Sequence, residues 1–95
     1  MRIRYTPRSR DDLDSIFSYL NQHSPASAVR IKRLVEQLIK GLADFPEIGP
    51  ATDFGARVLL VGRFPYRIFY RIRAQEIQIL HIRHSSRRAW GGADD

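Results

Sequence analysis

Apolar positions follow two different periods along this chain, and the change of period divides it. In the first half they recur three and four residues apart, as on one helical face. Leu13, Ile16, Phe17 and Leu20 form one stripe, and Val29, Ile31, Leu34, Val35, Leu38, Ile39 and Leu42 form another. In the second half the period falls to two, in Ala56–Val61, Tyr66–Arg73 and Glu76–His84, which predicts three strands. A short strand is also expected at the start, where Arg2 to Thr6 alternates arginine with Ile3 and Tyr5.

The breaks between these segments set the topology. Thr6-Pro7 and Ser24-Pro25 each place a capping hydroxyl before a proline suited to the first helical position. Asp11, Asp12 and Asp14 then sit early in the first helix, where carboxylates favour the positive end of the dipole. The second cap follows the first helix so closely that the two helices must fold back as a hairpin. Gly41 weakens the second helix by ~1 kcal/mol relative to alanine, and Pro46 cannot continue it, so that helix ends between them. Pro46, Gly49, Pro50 and Gly55 mark a loop, whereas Gly62-Arg63-Phe64-Pro65 and Ala74-Gln75 are short enough to close hairpins. The expected fold is α+β: β-α-α-β-β-β, an antiparallel sheet packed against a helical hairpin. Residues 1–90 form one domain in this reading, with a mobile tail at 91–95.

Composition narrows the function classes. With 95 residues there is room for one modest core. The absence of cysteine excludes disulfides, thiolate metal sites and a cysteine nucleophile. The start lacks the apolar stretch of a signal peptide, and the longest wholly apolar run, Val58 to Val61, cannot span a membrane, so a cytoplasmic protein with no membrane role is expected. The net charge of +6 is concentrated: residues 1–55 carry +1, but residues 56–90 carry +7, with eight arginines against Glu76 alone. Fourteen of the sixteen basic residues are arginine, which suits bidentate pairing with phosphate or carboxylate and predicts an anionic macromolecule or an acidic protein as partner.

Three segments, in this order and at these separations, resemble ParE-type toxins of the RelE/ParE superfamily. They are Phe45-Pro46-Glu47-Ile48-Gly49, the central Phe64-Pro65-Tyr66-Arg67-Ile68-Phe69-Tyr70-Arg71-Ile72, and the closing Ile79-Leu80-His81-Ile82-Arg83-His84. The resemblance spans nearly the whole chain. It implies the toxin of a type II toxin-antitoxin pair, held in a hetero-oligomer by a small acidic antitoxin, ParD-like or RelB-like, and needing no cofactor. It also implies one of two targets: ParE-type relatives poison DNA gyrase, and RelE-type relatives cut messenger RNA in the ribosome.

Ribonuclease chemistry needs a base, a cationic clamp on the phosphate and an acid. Arg67 falls where the nucleases carry a strand arginine, and Trp90 where they carry a terminal aromatic residue. Arg83, His84 and Arg87 would complete such a set. The second basic residue that the nucleases place after the last strand is matched here by serine, however, and their lysine-rich loop is missing, since the only lysines are Lys32 and Lys40. Gyrase poisoning is therefore the favoured reading, with no catalytic residue assigned and Arg67, Arg71, Arg83, His84, Arg87, Arg88 and Trp90 as the expected target-binding set. Strand alternation points His81 and His84 to opposite faces, which argues against a shared metal ion. Phe69 lies on the arginine side of its strand, so a partner or part of this chain is expected to cover that face.

Overall fold

The computed structural model describes residues 1–86 and Trp90; Arg87, Arg88 and the tail expected at 91–95 lie outside the described residues. Strand β1 (Arg2–Tyr5) leads into helices α1 (Pro7–His23) and α2 (Pro25–Gly41), and β2 (Arg57–Leu60), β3 (Tyr66–Arg73) and β4 (Glu76–His84) follow.

The local signals act largely as their chemistry requires. The Thr6 hydroxyl accepts the Ser9 N–H at 3.2 Å, and Pro7 fills the first helical position of α1. Ser24 serves both helices, donating its N–H to Leu20 and accepting from the Ala28 N–H. Its hydroxyl, however, bonds the Ser27 hydroxyl at 2.8 Å rather than an orphan backbone N–H. Leu20, Ala28, Ile31, Val35, Ile39 and Leu42 press against Ile68, Tyr70, Ile77, Ile79 and Ile82 of the sheet. Val29, expected in this stripe, is instead 57% exposed.

The sheet order is β1-β4-β3-β2. The last three strands form the expected antiparallel meander, but β1 pairs in parallel with β4, so the sheet is mixed. The difference has a simple cause. Links of five residues (61–65) and two (Ala74-Gln75) force neighbours to run antiparallel, whereas β1 reaches the meander only through the helices, the kind of crossover that parallel pairing needs.

Two further features shape the functional face. In β4 the register slips by one residue at Leu80: Phe69 pairs with His81 and Tyr70 with Ile79. This bulge shifts the alternation, so Ile77, Ile79 and Ile82 all reach the core while His81 and Arg83 turn to the other face. In addition, β1 covers β4 only as far as Ile79, and α1 supplies substitutes beyond that point. The Thr6 hydroxyl donates to the Ile79 carbonyl at 2.8 Å, and Asp12 accepts the Ile82 N–H at 3.0 Å. The free edge of β2 is partly covered by the preceding loop, where Pro50 accepts the Val58 N–H.

Candidate functional site

The site lies on the sheet face turned away from the helices. Along β3, Tyr66, Ile68 and Tyr70 pack into the core, which leaves Arg67, Phe69, Arg71 and Arg73 on the opposite side. The β4 residues opposite them in register are Arg83, His81, Gln78 and Glu76.

At one end of this face the arginines are tied together through Glu76. Arg71 donates to Gln78 at 2.7 Å, Gln78 donates to Glu76 at 2.9 Å, and Glu76 accepts from Arg4 at 2.9 Å, with Arg2 at 3.5 Å. The Arg4 hydrogen bond, followed by that from Gln78, holds the Glu76 carboxyl down to about 2. Arg71 is thus engaged in a surface network.

The other end is aromatic. Trp90 packs edge-on against Phe69 at 4.8 Å and His81 at 5.0 Å, and Phe54 meets Trp90 at 5.4 Å. The cover expected over Phe69 therefore comes from this chain itself, leaving Phe69 only 5% exposed. Beside the cluster runs a groove of about 650 Å³, lined by Thr52, Phe54, Leu60, Arg67, Phe69 and Trp90 among others. Arg67 is exposed at this groove.

Beneath Trp90 lies a buried polar cluster. His81 Nδ1 sits 2.6 Å from the Asp12 carboxylate, which also receives the Ile82 N–H. A carboxylate accepts, so Nδ1 donates. The Nε2 lone pair then faces Arg8 at 3.3 Å and Arg83 at 3.4 Å, both of which only donate. Arg83, expected to reach outward, is buried at 8% exposure and supports the imidazole.

His84 lies on the other side of the sheet, paired in register with Tyr66. Its Nδ1 accepts the Ser86 N–H at 3.1 Å, and its ring meets Tyr66 edge-on at 5.3 Å. Burial, with Tyr19 nearby, pushes the Tyr66 phenol above its ordinary range. A groove of about 630 Å³ opens here, bordered by Tyr19, Ser24, Ser27, Tyr66, His84 and Ser86 among others.

The structure thus brings Arg67, Arg83 and Trp90 to one face, separates His84 from them, and ties Arg71 to Glu76. Arg8, Asp12 and His81 are members that reasoning from sequence passed over. The helix dipole does not account for Asp12, because the first turn of α1 holds no acidic residue. A signal is present in Ser9, Asp12 and Ile16, which recur at helical spacing, so the carboxylate shares a face with the buried Ser9 and the half-buried Ile16.

The family model described as "ParE toxin of type II toxin-antitoxin system, parDE" matches residues 3–89. The chain belongs to the ParE toxin family. Among its relatives, the Y4kP protein of Sinorhizobium fredii is 33% identical over 85 residues, covering 88% of each chain. Toxin RelE2 of Caulobacter vibrioides is 33% identical over 86 residues, covering 90% of this chain and 97% of its own length. A solved structure described as the chromosomal ParDE TA system from P. aeruginosa superposes with a TM-score of 0.76 at 27% identity, over 88% of this chain and 95% of that one. This ParE-family chain is therefore a type II toxin-antitoxin toxin, and the matched span takes in both faces of its sheet. Among the described residues, no helix is long and apolar enough to cross a membrane.

Proposed function

We propose that this toxin arrests growth in the cytoplasm by binding DNA gyrase, and that a small acidic antitoxin, ParD-like, neutralises it within a hetero-oligomer. The scaffold is shared by toxins with different targets, so the target is argued from the site. One observation carries the choice. Arg67 and His84, the phosphate clamp and proton carrier that a ribonuclease would draw from these strands, stand on opposite faces of the sheet. General acid-base catalysis needs both within hydrogen-bond reach of one phosphodiester, and a sheet lies between them. Arg83 is buried against His81, which further thins the set available to RNA.

What remains is a surface suited to binding. Arg67 borders an apolar groove walled by Phe54, Phe69 and Trp90, a combination of arginine and aromatic anchors that recurs at protein-binding hot spots. An acidic antitoxin segment laid over this face would pair with Arg67 and exclude the target.

Induced expression, with DNA and protein synthesis followed separately and transcripts mapped by primer extension, tests the proposal. DNA synthesis is expected to stop first, with transcripts intact. New transcript ends in codon register, with DNA synthesis sustained, would instead support a RelE-like, ribosome-dependent mRNA endoribonuclease.

A further inference from the structure

Helix α2 begins at the groove of about 630 Å³ beside His84, and its first turn is left uncapped. The Ser24 hydroxyl donates to the Ser27 hydroxyl, so no side chain meets the first backbone N–H groups of the helix. Pro25 has no N–H, but Ala26 and Ser27 do, ahead of the Ala28 N–H that closes on the Ser24 carbonyl. In a helix of 17 residues these amides stand at the positive end of the dipole.

A second, independent feature faces the same groove. Tyr66 is only 7% exposed, yet its hydroxyl bonds to nothing among the described residues and borders the groove. A phenol in that position costs free energy unless something meets it. Burial keeps it protonated, so it is available as a donor. Beside it, His84 Nδ1 accepts the Ser86 N–H at 3.1 Å, which leaves the proton of the neutral imidazole on Nε2. The Ser27 hydroxyl, having accepted from Ser24, also has its proton to give.

The groove therefore offers converging donors, and none of the residues lining it is Asp, Glu, Lys or Arg. Neutral donors of this kind suit a single negative charge, whereas a phosphate group draws arginine or lysine, which this chain carries elsewhere. Between the donors the lining is apolar, with Ile16, Leu20 and Ile31 below and the Tyr19 ring beside them. A concave, mostly apolar lining with a few placed polar groups is the usual form of a small-molecule site.

We propose that this groove binds a small carboxylate with an apolar or aromatic body. The head would be held by the Tyr66 hydroxyl, the His84 Nε2–H and the first turn of α2, and the body would lie on Ile16, Leu20 and Ile31. Arg67 and its groove are on the opposite face of the sheet, so the site does not depend on which target the toxin has.

The test uses full-length toxin, purified with its antitoxin and then freed, titrated with 3-phenylpropionate and followed by amide NMR. Saturable shifts are expected at Ser27 and His84, with the uncharged 3-phenylpropionamide bound about tenfold more weakly or worse. Tyr66→Phe should weaken the carboxylate about tenfold, and Ser27→Ala should weaken it as well. Because the Tyr66 hydroxyl has no protein partner to lose, Tyr66→Phe without ligand should melt no lower than wild type. Absence of saturable shifts would overturn the proposal, as would an amide bound as tightly as the acid, which would make the groove merely apolar. Inorganic phosphate bound more tightly than the carboxylate would overturn the ligand class. Tyr66→Phe that binds like wild type, or that melts lower without ligand, would remove the hydroxyl from the site and the proposal with it.

Discussion

Removing the Asp12 carboxylate is expected to destabilise the toxin out of proportion to the exposure of helix α1. One oxygen of Asp12 accepts both the His81 Nδ1–H at 2.6 Å and the Ile82 N–H at 3.0 Å. The Asp12 side chain is 19% exposed and that of His81 4%, so water replaces little of what Asp12→Ala removes. Hydrogen bonds to a charged group contribute about 1.5–3 kcal/mol each. Scaled down because Asp12 is not fully buried, the expected loss is about 2–3 kcal/mol. A domain of this size is stable by only about 5–15 kcal/mol. With a urea dependence near 1 kcal/mol per molar, the unfolding midpoint should fall by about 2–3 M. Trp90 is the only tryptophan and packs on His81, so its fluorescence reports the transition at the relevant place. A double-mutant cycle with His81→Ala should give a coupling of about 1–2 kcal/mol. A midpoint lowered by less than about 0.5 M, or single effects that add within about 0.5 kcal/mol, would rule out this role for Asp12.

Further substitutions probe other parts of the account. Gly49→Ala should cost about 1–3 kcal/mol by overpacking, because its Cβ would meet the Val58 carbonyl oxygen and the Tyr70 hydroxyl; an unchanged thermal midpoint would mean the loop at Gly49 is not pinned. The β3–β4 turn holds Ala74 at φ 53° and Gln75 at φ 60°, so Ala74→Asn/Gln75→Gly should stabilise by ~1 kcal/mol, and a lower melting temperature would contradict that. Glu76 is held at about 2 when folded against an ordinary value of 4.5, so its contribution is present above about 4.5 and lost as pH falls towards 2. Wild type should accordingly exceed Glu76→Gln in stability at pH 6, and the gap should narrow at pH 3; a constant gap would rule out the Arg4 and Gln78 contacts as its source.

Most of the scaffold was legible because its determinants are local. Thr6-Pro7 and Ser24-Pro25 open the two helices, Gly41 is the last residue of α2, and the spacing of Leu20, Ile31, Val35 and Ile39 matches their burial. The parallel seat of β1 was less accessible, since no short link constrains that strand. The site was legible only in part. Alternation correctly placed Arg67 and Phe69 together, and the apolar character of Phe69 signalled a cover that Trp90 and Phe54 supply. The bulge at Leu80 is a two-strand property with no marker such as glycine in Ile79-Leu80-His81. Without it, His81 and Arg83 would be expected to share the core face with Ile77 and Ile79. Asp12 was missed for a related reason: its role depends on β4 extending beyond β1, which neither segment shows alone.

The proposed contact with gyrase is tested most directly by the supercoiling activity of the purified enzyme. Relaxed plasmid, ATP and gyrase are incubated with increasing freed toxin, and with toxin held by its antitoxin. Supercoiling should fall with toxin, or cleaved complexes accumulate, with Arg67→Ala weakened and the antitoxin complex inert. Undiminished supercoiling at saturating toxin, from a preparation that still arrests growth when expressed, would contradict the account.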